Sequence, residues 1–138
     1  MNDSVRRELV FPQSRPEVWS ALTDPVALAE WMSPNDFQAR VGHRFTFRIP
    51  PNPKARFEGM VVEGEVEVCD PPRELSYSWV GGDVRARVSY RLEADGGGTR
   101  VFFEQTGFER EQARQGAEHG WNRMHGLLAD LLARRIST

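Results

Sequence analysis

One stretch near the end of the chain, residues 118–135, decides how the sequence must fold: EHGWNRMHGLLADLLARR. A helical wheel advances about 100° per residue. When the stretch and the residue before it are placed on this wheel, seven residues fall within an arc of roughly 120°: Ala117, Trp121, Met124, His125, Leu128, Leu131 and Leu132. Polar residues occupy the far side, namely His119, Arg123, Asp130 and Arg134. The pattern predicts a long amphipathic helix from about residue 109 to 135. Gly116 and Gly120 lower the helix propensity, and a bend or a close backbone approach would explain them.

Residues 37 to 106 supply the surface on which this helix packs. Apolar and polar residues alternate there in RFTFRI, MVVEGEVEV, ELSYSW, VRARVSYRL and, less regularly, TRVFFEQT. Such alternation is typical of an antiparallel sheet with one buried and one solvated face. In MVVEGEVEV it places Met60, Val62, Val66 and Val68 on the same face.

The first thirty residues add a strand and two short helices. Residues 4–11, SVRRELVF, alternate as a strand does. Ser14 is predicted to be a helix N-cap, with Pro16 in the first turn. Asp24 precedes Pro25 and so avoids the helical conformation, which predicts a break at Thr23–Asp24. The whole order indicates an α+β fold, in which an open antiparallel sheet of about six strands is covered by the last helix.

The segments between the strands have the composition of turns. VGGDV and EADGGGTR are predicted hairpin turns, and CDPPREL is a connection stiffened by prolines. IPPNPKARF is a longer loop, and its three prolines, Pro50, Pro51 and Pro53, keep it out of any strand ladder.

Composition and charge narrow the range of functions. A chain of 138 residues suits one domain over residues 1–138. The net charge of −2 gives no positive field to hold nucleic acid or an anionic membrane. Cys69 is the only cysteine, which excludes a disulfide within the chain and suits a reducing, cytoplasmic location. No apolar run is long enough for a signal peptide or for the roughly 20 residues of a membrane span.

The three histidines do not form a metal site. His119 and His125 are six residues apart, about 120° around a helix, so they cannot bind one ion together; His43 lies in a distant loop. His125 lies at the edge of the apolar stripe, where it is either a buried residue satisfied by one hydrogen bond or a pocket wall that bonds a ligand. A partner is expected in both cases, because an unpaired buried group costs about 1–3 kcal/mol.

The carboxylates give no clear catalytic signal. Glu63, Glu65 and Glu67 alternate with valines and are expected on a solvated strand face, whereas Glu93 and Glu104 could face either way. Nucleophile motifs such as GxSxG are absent. The sequence therefore names no catalytic residue, and no metal or cofactor is predicted.

Aromatic residues on the inward faces indicate a small-molecule site. A strongly curved sheet and a single covering helix often cannot meet everywhere, which would leave an apolar cavity; the alternative is that these aromatic residues only pack the core. An apolar cavity with a few polar groups is the usual form of a ligand pocket. His125 and Tyr77 are predicted to orient polar groups of the ligand. The predicted lining consists of Phe45, Phe47, Tyr77, Trp79, Tyr90, Trp121, Met124, His125 and Leu128.

Several segments together resemble a known family. RPEVWSALTDPVALAEWM, VGHRFTF, GEVEVCDPPRELSYSWV, GGGTRVFFEQTGF and GAEHGWNRMHGLLADLL are similar to the activator-of-heat-shock-protein-ninety-ATPase homologue group of the START-like, or SRPBCC, superfamily. The resemblance spans about residues 4–135. It implies a helix-grip fold, a curved antiparallel sheet around a long C-terminal helix, with a deep cavity that takes hydrophobic ligands. Gly42–His43 departs from the Gly-Gly that is common in the group, and this places a polar ring near the expected cavity mouth.

Three functions remain open at this stage. The first is the binding of a small, largely hydrophobic molecule in the cavity. The second, which the resemblance suggests, is a co-chaperone that stimulates a chaperone ATPase, although the additional chaperone-binding domain of eukaryotic relatives is expected to be absent. The third is a cyclase or lyase that uses His125 or Glu104 as acid or base. An oxygenase is excluded, because one cysteine cannot supply the ligands of a Rieske cluster. A homodimer is compatible with the sequence, but no exposed stripe demands one.

Overall fold

The computed structural model describes residues 3–55, 57–82 and 84–136. The predicted α+β fold is confirmed. The elements, in chain order, are β1 (Ser4–Phe11), α1 (Arg15–Thr23), α2 (Pro25–Trp31), β2 (Arg44–Ile49), a 3-10 turn (Pro53–Ala55), β3 (Met60–Asp70), β4 (Glu74–Gly81), β5 (Val84–Asp95), β6 (Gly98–Thr106) and α3 (Glu111–Ile136).

The six strands form one antiparallel sheet in the order β1-β6-β5-β4-β3-β2. Helix α3 packs against β1, α1 and α2, and α1 packs against β5 and β6. The side chain of Thr99, near the start of β6, donates a hydrogen bond to the carbonyl of Gln13, just before α1 (2.7 Å). The two short helices therefore lie at the end of the sheet where β5 ends and β6 begins.

Strands β3 and β4 approach each other closely at Gly64. The backbone N–H of Glu65 donates to the side-chain hydroxyl of Ser78 (2.9 Å). The chains approach so closely there that a Cβ atom on Gly64 would lie 2.1 Å from the carbonyl oxygen of Ser78 and 2.5 Å from the ring of Phe45. Only glycine fits this position, and its missing side chain lets the Phe45 ring lie directly on the sheet.

A β-bulge in β3 corrects one predicted orientation. Val66 pairs with Tyr77, but Val68 pairs with Ser76 and Cys69 pairs with Leu75. Paired residues in an antiparallel sheet share a face, so Cys69 continues the inner face. The prediction that Val68 lies beside Val66 is wrong, because the bulge inserts one extra residue and changes the alternation.

The capping of the first two helices agrees with the sequence. The hydroxyl of Ser14 accepts a hydrogen bond from the backbone N–H of Glu17 (3.4 Å). Asp24 ends α1 and caps α2, where its carboxylate accepts from the N–H of Val26 (3.3 Å). The indole of Trp31 donates to the carbonyl of Ala21 (2.8 Å), which fixes α2 against α1. The predicted N-cap and the predicted helix break are both confirmed.

Helix α3 begins two residues later than predicted and otherwise matches the predicted stripe. Trp121, His125, Leu128, Leu131 and Leu132 are buried, while the predicted outer residues are exposed. A Cβ atom on Gly116 or Gly120 would meet no heavy atom within 4 Å. The expectation of a close backbone approach at these glycines is therefore wrong.

The turns differ in how much can be described. In EADGGGTR, Gly96 and Gly97 have φ angles of 58° and 91° between the paired residues Asp95 and Gly98, as a two-residue type I′ hairpin requires. The predicted turn VGGDV includes residue 83, and the loop IPPNPKARF includes residue 56; both residues lie outside the described part of the chain. Within the described ranges, no helix combines the length and apolar composition needed to cross a membrane.

Candidate functional site

The nine predicted lining residues lie together between the sheet and α3. Eight are buried, and Met124 is half-buried and packs against the core. The strand residues converge because alternate residues of β2, β4 and β5 lie on the same face of the sheet. The α3 residues join them because they are three or four positions apart and so lie on one side of the helix. Their part in ligand binding stays a prediction.

The aromatic members form a continuous series of ring contacts. Phe45 contacts Phe47 and Tyr77, with ring centroids 4.8 and 5.2 Å apart. Phe47 contacts Trp79 (5.8 Å), and Trp79 contacts Trp121 on α3 (5.1 Å). Tilted and edge-to-face rings at these separations stabilise one another beyond the area that they bury. The series connects the β2 edge of the sheet to the covering helix.

Several residues of the same interior were not among the predicted lining. Phe37, in the loop after α2, contacts the rings of Phe45, Phe47 and Tyr77. Phe103 on β6 contacts Tyr90, Trp121 and His125. Phe37 belongs to no periodic run, so the sequence carried no signal for it.

The position of Phe103 could have been found from its strand. Thr99, Val101, Phe103 and Gln105 are buried on the inner face of β6. The adjacent Phe102 made the pattern irregular, because it lies on the outer face, where the guanidinium of Arg91 stands 4.5 Å from its ring centroid. A cation–π contact of this kind lets an aromatic residue occupy a solvated face.

His125 is a buried, neutral residue with one hydrogen bond. It is 5% exposed, and its Nε2 lies 3.0 Å from the hydroxyl of Tyr90. The partner expected from the sequence is therefore present. Burial and, secondarily, the positive charge of Arg7 lower the pKa of His125 from 6.5 to about 4. In the described part of the chain, its Nδ1 has no hydrogen-bond partner.

Other polar groups of the interior are also neutral. The indole N–H of Trp121 donates to the side-chain oxygen of Gln105 (2.6 Å). Burial raises the pKa of the Tyr77 and Tyr90 phenols above their usual range, so both stay protonated. The Tyr77 hydroxyl and the indole N–H of Trp79 are not among the fully buried polar atoms that lack a hydrogen-bond partner; in the described ranges those are Gln13 Oε1, Ser33 Oγ and His125 Nδ1.

The charged residues closest to this interior lie between β1 and α3. Arg7 is ion-paired with Glu118 (2.9 Å) and donates to the side-chain oxygen of Asn122 (2.9 Å). Arg114 binds both Glu118 and Glu111. Hydrogen bonds from Arg7 and Arg114 lower the pKa of Glu118. The arginines and glutamates therefore neutralise one another at the margin of the core.

One end of the interior is bordered by half-buried apolar side chains. Ile49 pairs with Met60 where β2 ends and β3 begins, and Gly81 pairs with Val84 where β4 ends and β5 begins. This end, called here the open end, lies opposite the end that carries α1. The half-buried apolar strand residues at this end, which all pack against the core, are Ile49, Met60, Val84 and Ala86.

His43 does not lie at the open end. It precedes the first residue of β2, whereas the open end contains the last, Ile49. Its ring nitrogen Nε2 lies 2.8 Å from the backbone carbonyl of Asp36. The expectation of a polar ring at the cavity mouth stays a prediction; in the structure His43 ties the loop before β2 to the segment after α2.

The glutamates lie on the outer face of the sheet. Glu65 pairs with Arg44 (3.3 Å), Glu67 with Arg87 (3.0 Å) and Glu104 with Arg6 (2.5 Å). Glu104 thus points away from the interior, and the expectation that it could act as an acid or base there is wrong. In the described ranges, no three His, Cys, Asp or Glu side chains form a group that could hold a metal ion.

A depression of about 470 Å³ lies on the outer face, over β1, β6, β5 and β4. Arg6 and Glu104, which border it, are ion-paired with each other. It is shallow, and ion pairs engage the side chains of Arg6, Glu8, Arg91 and Glu104 along it. The depression is therefore a weaker candidate for a ligand site than the aromatic interior.

Comparisons with known proteins agree with the fold. The sequence profile of the family described as "Activator of Hsp90 ATPase homolog 1-like protein" matches residues 13–133. The solved structure of a Mesorhizobium loti protein is 32% identical, has a TM-score of 0.83, and the match covers 95% of this chain and 97% of that one. No curated protein matches the sequence.

Two further solved structures show the same architecture. CalU16 from Micromonospora echinospora is 27% identical, with a TM-score of 0.75 and coverage of 97% of this chain and 78% of that one. A Chromobacterium violaceum protein is 20% identical, with a TM-score of 0.82 and coverage of 96% and 98%. The last likeness is one of fold alone.

Proposed function

The chain belongs to the family of Activator of Hsp90 ATPase homolog 1-like proteins, and from this premise we propose that it binds a small, largely apolar molecule between the sheet and α3. The fold of the family is compatible with a ligand cavity at this place. The ligand would lie against the inner faces of β2–β5, with its apolar part among the aromatic rings.

The observation that carries this proposal is the continuity between the open end and the ring cluster. Ala86 at the open end pairs with Trp79, and the Trp79 ring contacts Trp121 on α3. Half-buried apolar side chains at a core margin stay in partial contact with water, which is unfavourable in proportion to their exposed area. A bound apolar molecule would remove this contact.

Met60 gives the open end room to adapt, and Met124 is a second flexible side chain on α3. The Met60 sulfur lies over Gly81, 2.7 Å from where a Cβ atom on that glycine would be, and Met124 is half-buried against the core. Methionine is unbranched and has several rotatable bonds, so it can rearrange around a ligand at little cost. Ligand entry would move these side chains and leave the backbone in place.

The expected affinity follows from the area that such a ligand buries. An aromatic molecule of two or three rings that buries about 300 Å² of apolar surface would gain about 7.5 kcal/mol at 25 cal/mol per Å². That gain corresponds to a dissociation constant in the micromolar range. An uncharged fluorescent probe of this size, N-phenyl-1-naphthylamine, is therefore suited to the test.

The test compares tryptophan substitutions at two adjacent residues of β5 that lie on opposite faces of the sheet. Ala86→Trp would fill the open end from the inner face, whereas Arg87→Trp places the same side chain on the outer face. Titration followed by probe fluorescence should show binding at least about tenfold weaker in Ala86→Trp, a loss of 1.4 kcal/mol or more, and unchanged binding in Arg87→Trp. Circular dichroism checks that both variants fold.

Two results would contradict the proposal. One is an unaltered protein that does not bind the probe at any soluble concentration. The other is a folded Ala86→Trp variant that binds as tightly as Arg87→Trp, because the probe would then occupy a different surface.

A further inference from the structure

The inner face of the sheet carries no ionisable charge over four of its strands. Among the described residues, every inward position of β2, β3, β4 and β5 is apolar, glycine, cysteine or tyrosine. The facing stripe of α3 from Ala117 to Leu132 is likewise uncharged, since its one titratable member, His125, is neutral at pH 7. A charged ligand group placed here would meet no opposite charge.

The nearest cation, Arg7, is not available to such a group. Its guanidinium is paired with Glu118 and also bonds Asn122, and Glu118 is shared with Arg114. To bind a ligand carboxylate, Arg7 would have to leave Glu118, whose charge would then be less well compensated. Burying an ion without a partner is strongly unfavourable, so the interior disfavours both carboxylates and ammonium groups.

Two polar groups on the inner face of β4 are hydrogen-bond donors. Tyr77 and Trp79 are alternate residues of β4 on the same face, about 7 Å apart along the strand. The indole N–H can only donate, and the protonated phenol can donate its hydrogen. An apolar ligand that covered either group would shield it from water, and an acceptor atom on that ligand would then satisfy it.

His125 adds a third donor. If the Tyr90 hydroxyl donates to Nε2, the neutral ring carries its proton on Nδ1, and one buried donor stays unpaired. If Nε2–H donates instead, both the Tyr90 proton and Nδ1 are left unpaired. The first arrangement leaves fewer unsatisfied groups and is favoured. The interior therefore offers donors from Tyr77, Trp79 and His125.

From this pattern we propose that the ligand is an uncharged, largely apolar molecule with oxygen acceptors, such as a ketone, ester or quinone, and not a carboxylate or an alkylammonium ion. This inference rests on the proposed binding function and specifies the class of ligand. The donors select for the acceptor oxygen, and the lack of an unpaired charge excludes ionised groups.

Four probes with the same naphthalene skeleton test the inference at pH 7.5. They are 2-acetylnaphthalene, 2-ethylnaphthalene, 2-naphthoate and 2-naphthylmethylammonium, and titration calorimetry gives their affinities. We expect the ketone to bind about fivefold more tightly than the ethyl compound, which has the same shape without the oxygen. We expect it to bind at least about tenfold more tightly than either ion, a difference of 1.4 kcal/mol or more.

Tyr77→Phe provides the matched variant. It removes one donor and keeps the ring contacts with Phe37, Phe45 and Phe47. The variant should reduce the ratio of the affinity for the ketone to the affinity for 2-ethylnaphthalene. A merely structural role for Tyr77 would weaken both compounds equally.

The outcomes separate this inference from the proposed function. If 2-naphthoate or the amine binds as tightly as the ketone, the inference is overturned while ligand binding stands. If 2-ethylnaphthalene equals the ketone, the selection for an acceptor is overturned. If none of the four compounds binds, both the inference about the ligand class and the proposed binding function are overturned.

Discussion

The ring of His125 packs against Phe103 and Trp121, with centroids 4.7 and 5.3 Å away. These rings exclude water, and a protonated imidazole would lose its hydration without gaining an anion. Its neutrality is therefore a consequence of the fold. The sequence could predict that this histidine lies at the edge of the stripe, because the helical period gives direction. It could not identify Tyr90 as its partner, because that contact joins residues 35 positions apart.

The neutral state of His125 predicts how stability changes with pH. Its pKa is about 4 in the folded protein, against an ordinary value of 6.5, so the unfolded chain binds the proton more readily. The neutral ring contributes fully to the free energy of unfolding above pH 6.5, and this contribution is lost as the pH falls toward 4. The free energy of unfolding should drop by up to about 1.4 kcal/mol per pH unit in this window.

Urea unfolding between pH 7 and 5, where most carboxylates remain ionised, measures this slope. The control is His125→Gln, which does not titrate. Its free energy of unfolding should change less steeply with pH than that of the unaltered protein. Parallel curves for the two proteins would contradict the depressed pKa.

Gly64 is predicted to tolerate no side chain. A Cβ atom would lie 2.1 Å from the Ser78 carbonyl oxygen, and backbone atoms in the middle of a sheet cannot move away cheaply. We expect Gly64→Ala to lower the free energy of unfolding by about 3 kcal/mol or more, the upper range for overpacked cores. Thermal unfolding gives the value, and a loss below about 1 kcal/mol would contradict the proposed close contact.

At the scale of the element, the glycines of α3 differ from Gly64, because close packing does not require them. A Cβ atom on Gly116 or Gly126 would meet nothing within 4 Å, and both positions are exposed. Replacing each by alanine should raise the free energy of unfolding by about 0.5–1 kcal/mol through helix propensity. Thermal unfolding of Gly116→Ala, Gly126→Ala and the double variant tests this. Destabilisation by either substitution would show that the helix makes a contact there.

The strands show which elements a sequence can predict. The alternation in RFTFRI predicts the observed bounds of β2, because each inward residue is apolar and each outward residue is polar. In β3 the alternation failed after Val66, because a bulge is set by pairing with β4 and leaves no periodic signal. In β6 the outward Phe102 obscured the pattern, because its partner Arg91 belongs to another strand. Features that depend on a neighbouring strand were the ones missed.

At the scale of the molecule, the arrangement of sheet and helices was predictable, and the chemistry of the interior was predictable only in part. Periodicity predicts which face of its strand or helix each of Phe45, Tyr77, Trp79 and Trp121 lies on, and therefore that all four meet on one side of the sheet. It gave no distances, so the ring contacts and the pairing of Arg7 with Glu118 required the folded chain. Phe37 joins the cluster from a loop, where no repeat exists to predict it.

The most direct test of the central claim, that an uncharged apolar ligand lies against the inner face of β4 beneath α3, uses the indole N–H signals in a proton–nitrogen correlation spectrum. The chain has four tryptophans, and single Trp→Phe variants assign their signals. Trp19 on α1 and Trp31, whose indole already bonds Ala21, are internal controls.

With saturating 2-acetylnaphthalene, the Trp79 signal should move most, the Trp121 signal should move with it, and the Trp19 and Trp31 signals should stay in place. Signals that do not move, or a largest change at Trp19, would contradict the account.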